Sequence, residues 1–128
     1  MKTKIYYHHT DCGGVVYYGK YLDFFEEART EFLRERGIFV KELMEQGVVF
    51  VVARQEVDYK LPAFYADTLE IETQLLELSK VKMVFICTAK NQNKQKVCSG
   101  KTVMVCVGKD IRPRAIPEEV RKKLTKDR

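Results

Sequence analysis

The sequence predicts an α+β fold in which one long antiparallel sheet wraps around a single central helix. Three observations carry that expectation. A helical apolar period occupies residues 21–35, long strand-like runs extend from residue 48 to residue 108, and short polar separators join the last of those runs. The chain has 128 residues, 45% of them hydrophobic and 32% charged, the composition of a folded globule rather than of a disordered chain. Residues 1–128 are read as one domain, long enough to bury a core without disulfide or metal support.

Lys2 to Tyr7 is a short β-prone run. Tyr21, Phe24, Phe25, Ala28 and Phe32 then recur at helical spacing, with Asp23, Glu26, Glu27, Glu31 and Glu35 on the other faces. Gly37 supplies the stop, so the helix is expected to cover about 16 residues, or about 24 Å. Ile38 to Gln46 reads as one or two further turns closed by Gly47. The runs "VVFVVARQEVDY" (48–59), "TLEIETQLLEL" (68–78), "VKMVFICTAK" (81–90) and "VCSGKTVMVCVG" (97–108) read as strands, with Leu69, Ile71, Thr73 and Leu75 on one face. Their separators "SK" and "NQNKQK" are hairpin-like, which predicts an antiparallel meander. Several strands are apolar on both faces. That pattern predicts a core layer on each side of the sheet and a homodimer. The segment "IRPRAIPEEVRKKL" reads as a loop and a short helix with Pro117 at its first turn.

No apolar run approaches the ~18 residues of a membrane span. The start "MKTKIYY" holds no apolar signal core, so a cytoplasmic location is expected. Cys12, Cys87, Cys98 and Cys106 lack CxxC spacing and are expected to be reduced. The net charge of +5, much of it in "RKKLTKDR", suits an anionic ligand. The chain has no helix-turn-helix segment and no RNA-binding aromatic signature, so nucleic acid is not an expected partner.

The stretch "YHHTDCGGVVYYGKY" (7–21) concentrates the chemistry. Asp11 precedes a Gly13-Gly14 turn that lets backbone or ligand approach closely, and a helix start follows with its unpaired amides and positive dipole end. Asp11 is either an Asx-turn former or a carboxylate aimed at a ligand. Read as strand neighbours, His8 and His9 point to opposite sides. On that reading His8, His9 and Cys12 do not converge on a metal ion. Adjacency does not make Cys12 a nucleophile paired with histidine.

This stretch resembles the signature of the 4-hydroxybenzoyl-CoA thioesterase family of hotdog-fold proteins, its Tol–Pal-associated acyl-CoA thioesterase branch above all. The matching positions are Tyr7, Thr10-Asp11, Gly14, Val16-Tyr17, Tyr21, Phe24-Phe25-Glu26 and Ala28-Arg29. "VDYKLPAFYADTLEIET" and "RPRAIPEEVR" are similar too, so the likeness spans nearly the whole chain. It implies a hotdog fold, a homodimer or a dimer of dimers, and hydrolysis of acyl-CoA with no cofactor beyond the CoA of the substrate.

The resemblance assigns the catalytic carboxylate to Asp11 and the carbonyl-polarising backbone amide to the region of Tyr18. A thioester needs only such a pair, a carboxylate to attack or to activate water and a donor for the developing oxyanion. His9, Gly14, Val15, Val16 and Glu26 are expected to border the substrate. Glu26, expected to be partly buried on the helix, is either an anchor through Arg29 or a reserve catalytic acid. Lys80, Lys82, Arg112 and Arg114 are expected to hold the CoA phosphates. The chain departs from the branch at two places. Tyr18 stands where the branch carries histidine, and His9 stands where it carries an acid. His9 is read either as a hydrogen-bond partner for Asp11 or a water, or as a surface residue at a strand end. The competing reading of the whole protein is a non-catalytic acyl-CoA-binding regulatory module.

Overall fold

The computed structural model describes residues 1–126; Asp127 and Arg128, the end of the basic tail, lie outside the described residues. Helix α1 (Lys20–Glu35) is 16 residues long and buries Tyr21, Phe24, Phe25, Ala28, Arg29 and Leu33. It stops as the sequence predicts. Gly37 takes a φ of 76°, and the Ile38 amide reaches back to the Leu33 carbonyl at 2.9 Å, the six-to-one bond of a Schellman stop. Helix α2 (Val40–Glu45) ends in the same way, with Gly47 at φ 80° and Val48 bonded to the Leu43 carbonyl at 2.8 Å.

The strands are β1 (Lys2–Lys4), β2 (Val49–Tyr59), β3 (Thr68–Leu78), β4 (Lys82–Lys90) and β5 (Lys96–Val107), and helix α3 (Glu118–Thr125) follows Pro117. They form one five-stranded antiparallel sheet in the order β1-β3-β4-β5-β2. The expected meander holds for β3, β4 and β5. It fails for β2, which pairs with β5 from Val49↔Val107 to Tyr59↔Cys98 and leaves the place beside β3 to β1. The reason is connection length. The short separators around Ser79 and Asn93 close hairpins, whereas residues 60–67 are long enough to cross the end of the sheet.

The expected core layer on each side of the sheet is also corrected. Cys87 and Ala89 pack in the cluster around α1's first half, and Met83 and Phe85 pack in the cluster with Leu33, Ile38, Val120 and Leu124. These β4 residues alternate along one face without a register break. Both clusters therefore lie on the same side, and all three helices cover that side. Gly100 permits the closest approach, since a Cβ there would stand 2.8 Å from two ring carbons of the fully buried Phe25. The opposite face carries Val84, which is buried, and Val103 and Val105, which are half-buried.

Candidate active site

The stretch from Thr10 to Val16 folds as a small hairpin. Thr10 bridges Val16, Val15 bridges Phe64, and the Val16 amide donates to the Ala63 carbonyl at 2.8 Å. The crossing loop therefore holds the hairpin from behind. At the tip, the Asp11 amide donates to the Val15 carbonyl and the Gly14 amide to the Asp11 carbonyl, with Gly14 at φ 77°. The Asp11 carboxylate accepts from the Gly13 amide through Oδ1 at 2.8 Å. That is an Asx turn, and it engages one carboxylate oxygen. Oδ2 accepts no hydrogen bond among the described residues, and the side chain is exposed.

The same hairpin leads into α1. Gly19 caps the helix without a side-chain acceptor, as expected for a terminus left open. Among the described residues, neither the Tyr18 nor the Gly19 backbone amide has an acceptor. Such N–H groups form the partly positive end of the helix. The Tyr59 hydroxyl donates to the Tyr18 carbonyl at 3.1 Å, which ties this corner to the end of β2. The Tyr18 side chain itself is 65% exposed.

Other expected site residues lie elsewhere or act differently. Tyr7–His9 is a 3-10 turn rather than a strand end, so His8 and His9 do not point apart. Their rings stand 4.0 Å from each other. His9 accepts the Tyr6 amide through Nδ1 at 2.9 Å and packs edge-on against Phe24. It therefore caps the turn instead of meeting Asp11, and its neutral form carries the proton on Nε2. Burial, helped by His8 and Lys20, holds its imidazole below the ordinary value. The described residues hold no group of three or more His, Cys, Asp or Glu side chains arranged for a metal ion. Cys12 is exposed and free.

Glu26, expected to be partly buried, is exposed and accepts the Thr30 hydroxyl at 3.4 Å. It borders an open groove of about 740 Å³ between α1 and α2, with Thr30, Arg34, Phe39 and Val40. Arg29 does not anchor it. Arg29 is 6% exposed and donates to the Thr102 hydroxyl at 3.2 Å; Thr102 in turn donates to Gln55 Oε1 at 2.8 Å. Burial lowers the Arg29 pKa, opposed by nearby Cys87 and Glu26. The only sequence signal for this buried relay is that Arg29 shares the helical face of Phe25 and Phe32.

Lys80, Lys82, Arg112 and Arg114 gather at the far end of the sheet. The Ile116 amide donates to the Lys80 carbonyl, the Arg114 amide to the Cys106 carbonyl, and Lys82 pairs with Val105. Tyr18 sits instead beside Tyr59 and hence Cys98. The run of β5 from Cys98 to Cys106 separates the two by about 25 Å. Lys82 lies 3.7 Å from Glu77 and Arg112 lies 3.9 Å from Asp110, both in exposed pairs that hold their cations weakly.

Comparisons with known proteins show the family and the fold. A model of the thioesterase-like superfamily matches residues 7–124. The acyl-CoA thioester hydrolase YbgC of Escherichia coli is 36% identical over 119 residues, which cover 92% of this chain and 89% of that protein. The acyl-CoA thioesterase YbgC of Haemophilus influenzae is 38% identical over 121 residues, 93% of this chain and 88% of that one. In fold, the chain is similar to a DHNA-CoA thioesterase from Staphylococcus aureus, with a TM-score of 0.94 over 99% of this chain and 88% of that one at 24% identity. The chain belongs to the thioesterase-like superfamily, as a thioester hydrolase of hotdog architecture.

Proposed function

We propose that the chain hydrolyses acyl-CoA thioesters at the Asp11 hairpin. One observation carries the reading: a single hairpin presents a carboxylate with one unengaged oxygen and leads into a helix start with unpaired amides. In the proposed reaction, the Tyr18 and Gly19 amides polarise the thioester carbonyl and take the charge that develops on its oxygen. Asp11 either attacks that carbonyl, expelling the CoA thiolate and leaving an anhydride for water to cleave, or takes the proton of an attacking water. Either route ends in free acid and CoA and uses no cofactor. Gly14, Val15 and Val16 border the carbonyl, and Lys80, Lys82, Arg112 and Arg114 meet the CoA phosphates.

The protein works as a homodimer, with dimers pairing further. Support comes from β2, which lies at the edge of the sheet with no strand of its own chain beyond it among the described residues. A cytoplasmic location suits the substrate; among the described residues no helix is long and apolar enough to cross a membrane.

A second reading has its own observation. The Asx turn made by Asp11 suits a non-catalytic acyl-CoA-binding module. Thiol release from a panel of acyl-CoAs separates the two. Turnover on any member supports the hydrolase, while saturable binding without thiol release establishes the module.

A further inference from the structure

Residues Tyr17 to Lys20 form the turn that hands the hairpin over to α1. The Lys20 amide donates to the Tyr17 carbonyl at 2.9 Å, so the peptide between Tyr18 and Gly19 is the central one of that turn. Gly19 stands at φ −71° and ψ −19°, close to the third residue of a type I turn. A type II turn differs by rotation of the central peptide and needs φ > 0 at the same third residue, which glycine adopts without strain. Because the peptide is planar and trans, its N–H and C=O point opposite ways and rotate together. Rotation would make the Gly19 N–H and the Tyr18 carbonyl oxygen exchange sides.

The helix ladder does not hold this peptide. The Leu22 amide donates to the Gly19 carbonyl at 3.2 Å, and among the described residues no backbone amide donates to the Tyr18 carbonyl. The donor to that carbonyl is the Tyr59 hydroxyl, at 3.1 Å. Tyr59 is the last residue of β2 and pairs with Cys98 of β5. Its ring lies 5.8 Å, centre to centre, from that of the buried Tyr21. A paired strand and a core ring therefore hold the hydroxyl where it meets the turn.

We propose that Tyr59 is a positioning residue for thioester cleavage. Its hydroxyl latches the Tyr18–Gly19 peptide so that the Gly19 amide stays turned toward the substrate carbonyl. The proposal rests on the reading of the helix start given above and deepens it by naming what keeps that donor in place. An open latch withdraws the donor and turns the Tyr18 carbonyl oxygen toward an oxygen that is gaining negative charge. The charge is largest in the transition state, so the loss falls on kcat rather than on KM.

Tyr59→Phe tests it, since the variant loses the hydroxyl and keeps the ring against Tyr21. The expected result is a kcat for acyl-CoA lower by about tenfold, with KM and the thermal midpoint little changed. In protein carrying ¹⁵N-labelled glycine, the Gly19 amide resonance of the variant is expected to shift and to broaden by exchange on the μs–ms scale. Wild-type kcat in Tyr59→Phe would overturn the proposal. A lower kcat with an unmoved Gly19 resonance, or one matched by a lower midpoint, would overturn it too, making the hydroxyl a structural group. Asp11→Asn separates the latch from the carboxylate reading. If Asp11→Asn is inactive and Tyr59→Phe fully active, the latch alone is overturned. If Asp11→Asn is fully active while Tyr59→Phe is slow with a shifted Gly19 resonance, the latch stands and the carboxylate reading falls.

Discussion

His9 shows how one residue carries a structural job that its neighbours disguise. Its place beside Asp11 invites a catalytic reading, yet its Nδ1 is occupied by the Tyr6 amide. Protonating that nitrogen breaks the bond and charges a ring that burial, His8 and Lys20 already hold below the ordinary value. The unfolded chain therefore binds more protons than the folded one between the depressed value and about 6.5, so stability rises with pH across that window. The contribution is complete above about 6.5 and is lost as pH falls through the folded value. Denaturant midpoints at pH 7.5 and 5.5 check this. His9→Asn, which keeps an acceptor and does not titrate, is expected to lose less stability than wild type between the two; an equal loss would put the titration elsewhere. The turn was not legible in the sequence because "YYHH" looks like a strand end, and only the bond back to Tyr6 reveals a 3-10 turn.

At the scale of elements, local chemistry was readable and long-range pairing was not. Gly37 and Gly47 announce both helix stops, and polar separators announce the β3–β4–β5 hairpins, because each is settled within a few residues. The place of β2 beside β5 depends on a crossing at residues 60–67 that no short window encodes. The length of β5, which sets the distance from Asp11 to the four cations, gives no local sign of which end the hairpin meets. The Asp11 hairpin itself was legible through its glycines and the helix that follows. The Arg29–Thr102–Gln55 relay was not, since its partners come from three distant elements. That relay joins α1 to the edge strand through a buried charge. Thr102→Val leaves the guanidinium without its hydroxyl and is expected to cost about 1–3 kcal/mol. Arg29→Met removes charge and need together and is expected to cost less, because apolar replacement of a buried ion is often close to neutral. Denaturant unfolding of the two variants ranks them, and a larger loss in Arg29→Met would mean that the charge itself stabilises the helix.

The whole molecule combines a one-sided core with an open edge. Three helices cover one face of the sheet, and β2 lies at the sheet's edge. Light scattering at micromolar concentration is expected to give at least the mass of a dimer, and a stable monomer would overturn the homodimer. The central claim concerns the hairpin, where a carboxylate, a glycine turn and a helix start converge on one carbonyl. Asp11→Asn keeps the side chain's size and an oxygen for the Gly13 amide but removes the charge needed to attack or to accept a proton. The most direct measurement is kcat of Asp11→Asn on an acyl-CoA that wild type turns over. The expected result is a fall on the order of 10²-fold or more, with KM and the thermal midpoint little changed. Turnover near the wild-type rate would contradict the account, leaving Asp11 a turn residue and Glu26 the next carboxylate to test.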